Sequence, residues 1–196
     1  MKVKRHVAAK TQTLGIFGAG AHARDILAIY TRRFPGLRLL HYDDDPSKHN
    51  QWIRSVESWD GRPYFLGMNN PQAKAVMDAR LNVELAADAL IDPSALVGLR
   101  SDLRQGCVLA PNVVLLADVK LGNHVHVNYG TTMTRTTVGD YTTIAPGVTV
   151  CGDVQIGRRV FIGAGATIKN LVTIGDDAFI RMGSVVKSDV EAGERR

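Results

Sequence analysis

Long apolar runs are missing from this chain. No segment approaches the roughly 18 consecutive apolar residues that a membrane-spanning helix requires. The first stretch, MKVKRHVAAKTQT, is basic but has no apolar core, which argues against a secretory signal. Cysteine is scarce: Cys107 and Cys151 are the only two, too few for a disulfide framework. These absences make a cytoplasmic location the default expectation. Concentrated positive charge is missing too. The 24 basic residues exceed the 19 acidic ones and leave a net charge of +5. They are scattered, with Lys2, Lys4, Arg5 and Lys10 near the start and Arg195 and Arg196 at the end. No basic run is interleaved with aromatics, so nucleic acid is not the expected partner. A small phosphate-bearing molecule accounts for the same charge. Histidines do not cluster in threes. His124 and His126 form a pair without an obvious third, so no metal centre is expected.

What is present falls into two halves with different periods. The chain has 196 residues, 45% hydrophobic and 22% charged, ordinary values for a globular protein. From Leu14 to Arg80 the pattern is α/β. LGIFGAG reads as an apolar strand running into glycines. AHARDILAIYTRR follows as a helix with Ile26, Leu27, Tyr30 and Ile29 toward one face. Pro35 and Gly36 stop it. LRLLHYDDD reads as a second strand ending in acids, and Pro71 opens a further helix, PQAKAVMDAR.

From Ile91 the rhythm becomes six. Every sixth residue is aliphatic or Met: Val97, Leu103, Leu109, Leu115, Leu121, Val127, Met133. One step of five leads to Val138, and sixes resume through Ile144 and Val150 to Val186. The residue four after each is small or β-branched, from Ala95 through Thr131, Thr137 and Thr142 to Ser184. A short strand every six residues coils into a three-sided prism, with the first column on its axis and the second at its corners. Hexapeptide β-helix is the architecture named for such repeats. Each buried aliphatic side chain contributes about 1.5–3 kcal/mol.

These residues resemble a known family. Hexapeptide-repeat left-handed β-helix acyltransferases, in particular the bacterial sialic acid O-acetyltransferase and nucleotide-sugar N-acetyltransferase group, carry similar motifs. GAGAHARDI is similar to their strand–glycine–helix opening, and DDDP with GRPYFLG to their acid pair and glycine–proline stretch. LIDPSALVG resembles the start of their β-helix. IGAGATIKNLVTIGDDAFIRMGSVVKSDV resembles their closing coils. The resemblance implies four segments: a basic leader (1–12), a Rossmann-like nucleotide-sugar-binding domain (13–88), a left-handed β-helix for the acyl-CoA (89–190) and a tail (191–196). It implies a homotrimer with acetyl-CoA as co-substrate in grooves between prisms. The activity implied is acetylation of a sugar amine or hydroxyl, with a histidine as general base. The family also runs on into a glycine–proline–alanine tail, where this sequence reads EAGERR.

Carried over by position, Gly18 and Gly20 match the opening glycines, suited to a phosphate at a helix start or to a plain strand-to-helix turn. The third glycine of a dinucleotide fingerprint is Ala23 here. His22 matches a family histidine that caps the helix or touches ligand. Asp43 and Asp44 match the acid pair. Asn128 matches an asparagine one rung before the catalytic histidine. The histidine itself is absent. Aligned from the left its position is Arg135, and aligned from the right it is Thr134; neither is a useful base at neutral pH. A second family histidine, near the thioester, falls on Thr143. Gly152 and Ala164 match small positions beside the coenzyme, and Lys169, Arg181 and Lys187 are candidates to meet its phosphates or are plain solvated surface residues. Cys107 fits the corner column. Three readings stay open: a substitute base, for which HVH puts His124 and His126 on one strand face; catalysis by positioning alone; or a binding or assembly protein without acetyl transfer.

Overall fold

A computed structural model describes residues 13–81 and 86–196. The expected basic leader, 1–12, lies outside the described residues. The first half is a four-stranded parallel sheet in the order β3-β2-β1-β4, with β1 at Leu14–Phe17, β2 at Leu39–Asp43, β3 at Ile53–Ser55 and β4 at Tyr64–Leu66. Helix α1 (Ala21–Arg33) links β1 to β2, and α2 (Pro71–Leu81) follows β4. Every residue of β1 is buried, because both sides of this sheet are covered. Leu14 and Ile16 face one core, while Phe17 packs with Tyr42, Tyr64, Met77 and Leu81 in the other. On α1 the buried stripe is His22, Ala23, Ile26, Ile29 and Tyr30. Leu27, expected on that face, only packs at its edge.

The second half is a left-handed parallel β-solenoid. Its short strands run from β5 (Leu90–Ile91) to β21 (Val185–Val186). They stack into faces of six, six and five strands. We call these the first face, which contains β8 (Val108–Leu109), β11 (His126–Val127) and β14 (Thr143–Ile144); the second, with β12 (Thr132–Met133); and the third, with β13 (Thr136–Val138). The six-residue column points inward and is buried, as at Leu109, Val127, Ile144 and Ile162. Corners are made by single residues in the left-handed backbone region, among them Asn112, Gly130 and Gly147 at one corner and Asp118, Arg135 and Asp153 at the next. Asn, Asp and Gly adopt that region most readily. Residues 191–196, expected as a separate tail, extend the ladder instead. Arg195 bridges Phe179, and its guanidinium lies 4.1 Å from that ring centre.

The two halves share a core. Side chains of α1 and β1 join Leu90, Val108 and the prism axis in one continuous cluster. Helix α1 therefore covers the first face, and α2 meets the corner between the third and first faces through Lys74 and Asp78.

Candidate functional site

The six-residue repeat makes the outward positions of the first face a ladder. Leu90, Val108, His126, Thr143, Phe161 and Phe179 are in register, one per coil. Helix α1 crosses its upper part and leaves a cavity of about 170 Å³, lined by Ile29, Ala110, Pro111, His22, His126 and Asn128 among others. Three residues expected at a site thus meet in one cavity, although they come from both halves of the chain. Nε2 of His22 lies 2.8 Å from Nδ1 of His126, and the rings are 5.0 Å apart, centre to centre. Both side chains are buried. Desolvation, reinforced by Lys74, lowers the His22 pKa to about 4. The same causes, with His22 and His124 adding, push His126 well below the ordinary imidazole range. Both rings are therefore neutral at pH 7. The outer nitrogens, Nδ1 of His22 and Nε2 of His126, have no hydrogen-bond partner. Asn128 donates from Nδ2 to the Ile144 carbonyl at 2.9 Å, which anchors its amide at the cavity edge.

The expectation that His124 and His126 share a strand face is corrected. His124 is a corner residue with φ 53°, outside the strand, so the alternation of a strand does not apply to it. Its ring turns toward α2 and is sandwiched between Tyr64 and Tyr141, 5.7 and 5.8 Å away. Nε2 of His124 lies 2.9 Å from Oδ1 of Asp78. The Tyr141 hydroxyl donates to Oδ2 of Asp78 at 2.7 Å, and the Tyr64 hydroxyl also donates to this carboxylate. Burial pushes the Asp78 carboxyl up, but donors on three sides outweigh it and hold it below the usual carboxylate range. Gly106 is required here: it has φ 68°, and a Cβ would stand 2.1 Å from Nδ1 of His124. Beside this clamp Lys74 is completely buried. Its Nζ donates to the carbonyls of His124 and Thr142 at 2.9 and 3.1 Å. Burial drives its pKa well down. Neither Lys74 nor Asp78 was singled out from the sequence. Their signal was the four-residue spacing that puts both on one face of α2.

The short rung is a shortened corner. Elsewhere two residues separate the inward residue from the left-handed one, as Leu116 and Ala117 separate Leu115 from Asp118. After Met133 only Thr134 intervenes before Arg135, whose φ is 44°. The residue is lost before the left-handed position, which leaves Thr134 as the single residue between Met133 and Arg135. The corner residue is consequently Thr136, which is buried, not Thr137, which is exposed. Arg135 belongs to a repeated device. Arg100 pairs with Asp118, Arg135 with Asp153 and Arg159 with Asp177, each 18 positions on and each between left-handed corner residues. Its Nε lies 3.1 and 3.2 Å from the Asp153 carboxylate oxygens. A Cβ on Gly152 would stand 2.0 Å from the Arg135 guanidinium, so Arg135 lies across Gly152 on the corner between the second and third faces.

At the end of β1, Gly18 has φ 106°, and Gly20 precedes α1 with no side chain capping the helix. The Ala19 N–H donates to Oδ2 of Asp43 at 2.8 Å, so Asp43 ties the glycine turn to β2. Asp44 points outward and pairs with Arg80 at 2.6 Å. The close helix–strand approach that a third fingerprint glycine would allow is met from the other side: a Cβ on Gly67 would lie 2.8 Å from Cβ of Ala23.

The residues matched to the coenzyme are not gathered in one place. Thr143 is on the first face beside His126 and is buried, its hydroxyl unpartnered. Ala164 and Arg181 are on the corner between the first and second faces; Gly152 and Lys169 are on the corner between the second and third. Lys169 and Arg181 are exposed. Cys107 is buried, its pKa pushed up to about 12 by desolvation, which suits packing. Cys151 is partly exposed. Among the described residues no group of three or more His, Cys, Asp or Glu is placed to hold a metal ion, and no helix is long and apolar enough to cross a membrane. The cavity also contains residues that the sequence did not single out. Asp92 is wholly buried, with Oδ2 3.2 Å from the Arg32 guanidinium.

Comparisons with known proteins agree with this architecture. Residues 135–170 match the family described as bacterial transferase hexapeptide (six repeats), and residues 153–188 match the hexapeptide repeat of succinyl-transferase. The bifunctional protein GlmU of Anaplasma marginale (strain Florida) is 30% identical over 109 residues, covering 52% of this chain and 25% of that protein. The chain thus spans only about a quarter of the length of the curated relatives it matches. WeeI from Acinetobacter baumannii AYE superposes with a TM-score of 0.84 at 24% identity, covering 94% of this chain and 96% of that one. A mutant of perosamine N-acetyltransferase from Caulobacter crescentus, in complex with CoA and GDP-perosamine, superposes at 0.83 with 22% identity and coverage of 94% and 92%. The acetyltransferase domain of PglB from Neisseria gonorrhoeae FA1090, in complex with acetyl coenzyme A, gives 0.83 at 22% identity, with coverage of 93% and 94%. This chain carries hexapeptide repeats and has the fold of those three structures.

Proposed function

We propose that this protein transfers an acetyl group from acetyl-CoA to an amine or hydroxyl of a nucleotide-linked sugar, in the synthesis of a surface glycan. The observation that carries the reading is the contact between His22 and His126 in a cavity shared with Asn128. The rung that should hold the base offers Thr134 and Arg135, and Arg135 is engaged by Asp153. His126 is the substitute. It is neutral, its Nε2 is unpartnered, and it adjoins Thr143, where the family resemblance puts a histidine near the thioester. A neutral imidazole in reach of the acceptor takes its proton as the nucleophile forms its bond. Asn128 orients the acceptor.

The N-terminal unit, 13–88, is read as a Rossmann-like holder of the nucleotide. Its Gly18–Gly20 turn lies at the carboxyl end of β1, where parallel sheets receive phosphates. His22 follows in the first turn of α1, so a sugar attached to a phosphate there extends toward the His22–His126 pair. Asp43 and Asp44 border the same loop. The β-helix, 89–190, serves acetyl-CoA, with Thr143, Gly152, Ala164, Lys169 and Arg181 as contacts. Because these occupy two corners and a face of one prism, a complete groove calls for a neighbouring copy. The second face suits that role, since Leu96 and Val185 on it and Tyr129, Leu116 and Leu171 at its borders are exposed. A cytoplasmic homotrimer is the assembly proposed. CoA and GDP-perosamine, bound by the Caulobacter crescentus protein, are the corresponding ligand classes, an argument by likeness of fold.

Thiol release from acetyl-CoA, measured across UDP- and GDP-linked amino sugars and free sialic acids, tests the reading. Turnover with any of them supports it. No turnover, with no thermal stabilisation by acetyl-CoA, sinks it. A second reading, ligand binding or assembly without catalysis, is favoured by the loss of the histidine rung to the Arg135–Asp153 ladder. Stabilisation by acetyl-CoA or a nucleotide sugar without turnover is its signature.

A further inference from the structure

We infer that the cleft beneath the start of α2 is a subsite for the nucleobase of a nucleoside diphosphate, with Phe161 as its stacking platform. The assignment rests on the reading of the N-terminal unit as a nucleotide holder and deepens it by giving the base a place.

Below Thr143 the first-face ladder changes character. Its next two outward residues are Phe161 and Phe179. Both are only partly buried, and their rings stack 5.2 Å apart, centre to centre, with planes 13° from parallel. Arg195 follows in the ladder, and its guanidinium lies over Phe179 at 4.1 Å. Each ring therefore covers one face of the other, and the cation covers the second face of Phe179. The upper face of Phe161 is left. The residue in register above it is Thr143, too short to stack. Among the described residues no other ring or guanidinium lies over Phe161. A flat ring placed there continues the stack.

This stack is one wall of a cleft of about 500 Å³, a size in the range of small-molecule sites. The opposite wall is the segment that enters α2, with Asn69, Asn70 and Gln72. An amide presents a donor and an acceptor in one plane, the pattern that the edge of a base matches. Arg159 also borders the cleft but is held by both oxygens of Asp177 at 2.8 and 2.7 Å. Arg195 has no acidic partner among the described residues, so its donors stay available to a ligand oxygen. The Asp177 carboxylate opposes a bare phosphate in the cleft and accepts from the N–H of a base.

The cleft adjoins the glycine turn. The Gly67 carbonyl oxygen lies 3.0 Å from where a Cβ on Gly18 would stand, and Asn69 is two residues further on. A diphosphate held at Gly18–Gly20 thus has the sugar on the side of His22 and the base on the side of Asn69. The acid pair is already engaged within the protein. Asp43 accepts from the N–H groups of Ala19 and Asp45 at 2.8 and 2.9 Å, and Asp44 pairs with Arg80. Two ligands carry a base on a diphosphate, a sugar nucleotide and the coenzyme. Lys169 and Arg181, the candidates for the coenzyme's phosphates, stand at two corners of the prism. The cleft borders the third, that of Arg159 and Asp177. This placement favours the sugar nucleotide.

The test is calorimetric binding to the full chain, with UDP, GDP, ADP, CoA and inorganic pyrophosphate as probes. UDP or GDP should bind about 10-fold or more tightly than pyrophosphate, which has no base to stack. Phe161→Leu keeps apolar bulk and removes the ring. It should weaken the nucleoside diphosphate about 10- to 100-fold, the scale of one base stack, and leave pyrophosphate unchanged. Phe161→Trp should retain binding, with the added indole fluorescence quenched by the nucleotide. Preference for ADP and CoA over UDP and GDP, with the same loss in Phe161→Leu, keeps the base subsite and gives it to the coenzyme. Nucleoside diphosphates that bind no better than pyrophosphate, or equally well to Phe161→Leu, overturn the subsite. Thiol release by the wild type is read separately. Turnover together with an indifferent Phe161→Leu sinks the subsite and leaves acetyl transfer standing; base-dependent binding without turnover does the reverse. Should Phe161→Leu not fold, nuclear Overhauser contacts between base protons and the Phe161 ring of the wild type decide. Their presence supports the subsite and their absence overturns it.

Discussion

Two buried polar regions lie beneath the N-terminal unit, and they differ in what they are built around, a carboxylate in one and an imidazole pair in the other. Beside α2, Asp78 collects Tyr64, Tyr141 and His124, and Lys74 caps two carbonyls. Beside α1, His22 and His126 bond each other and leave their outer nitrogens bare. The regions begin only two residues apart, at His124 and His126. The difference teaches which buried polar groups hold the halves together and which are kept for chemistry. The Asp78 carboxylate, with donors on three sides, stabilises, while Nδ1 of His124 beside it is as unpartnered as the outer nitrogens of the pair. A group left short costs stability, and a binding partner is the physical reason to retain it.

The largest expected effect falls on the clamp. Asp78→Ala strips the shared acceptor from two tyrosines and a histidine and should cost about 3–5 kcal/mol, the scale of breaking a buried polar pair, read as a loss of urea midpoint. His126→Ala should do the reverse. It lowers kcat for thiol release by about 100-fold or more while moving the urea midpoint far less. Comparable losses of stability in both variants would erase the distinction between the regions.

Acid sharpens the comparison. His22 has its pKa depressed from 6.5 to about 4 in the folded protein. Below pH 6.5 the unfolded chain takes up a proton that the folded one refuses, so this stability is complete above pH 6.5 and is lost as pH falls toward 4. The slope is on the order of 1 kcal/mol per pH unit from this group. It should be visible in urea titrations between those values and reduced by His22→Phe. The Asp78 carboxylate, held low by its donors, keeps its contribution through that window and loses it only at lower pH. The smallest effect is expected at Arg135. Arg135→Ala breaks a half-exposed pair with Asp153 and should cost less than about 1 kcal/mol. A large loss of kcat in that variant, with stability intact, would move the chemistry back to the short rung.

Much of this architecture was legible. The inward column from Ile91 to Val186 needed only counting, because a prism axis repeats the same environment at every coil. The strand–glycine–helix opening, the stop before Pro35 and the start at Pro71 follow from local backbone preferences. His22, His126 and Asn128 were each named from sequence, although on different grounds and in different roles. Their convergence was not legible, because nothing local says that α1 lies over the first face. His124 was misplaced by a strand alternation that does not survive a left-handed corner. Thr137 was assigned to the corner because a constant offset of four was carried across a rung that had lost a residue before its left-handed position. Lys74, Asp78 and Asp92 went unnoticed because ionisable residues are presumed exposed until a second element covers them.

The sequence by itself determined the repeat, the three-sided coil, the division into an α/β half and a β-helix, and the place of the irregular rung. Those depend on periodicity and on local φ/ψ preference, both written along the chain. Only the tertiary structure decided that the irregular rung shortens a corner and leaves Arg135 in an ion-pair ladder. It also decided that two histidines 104 positions apart share a hydrogen bond. The physical reason is that burial and pairing of polar groups are set by docking one half on the other, and docking brings together residues that no sequence spacing relates.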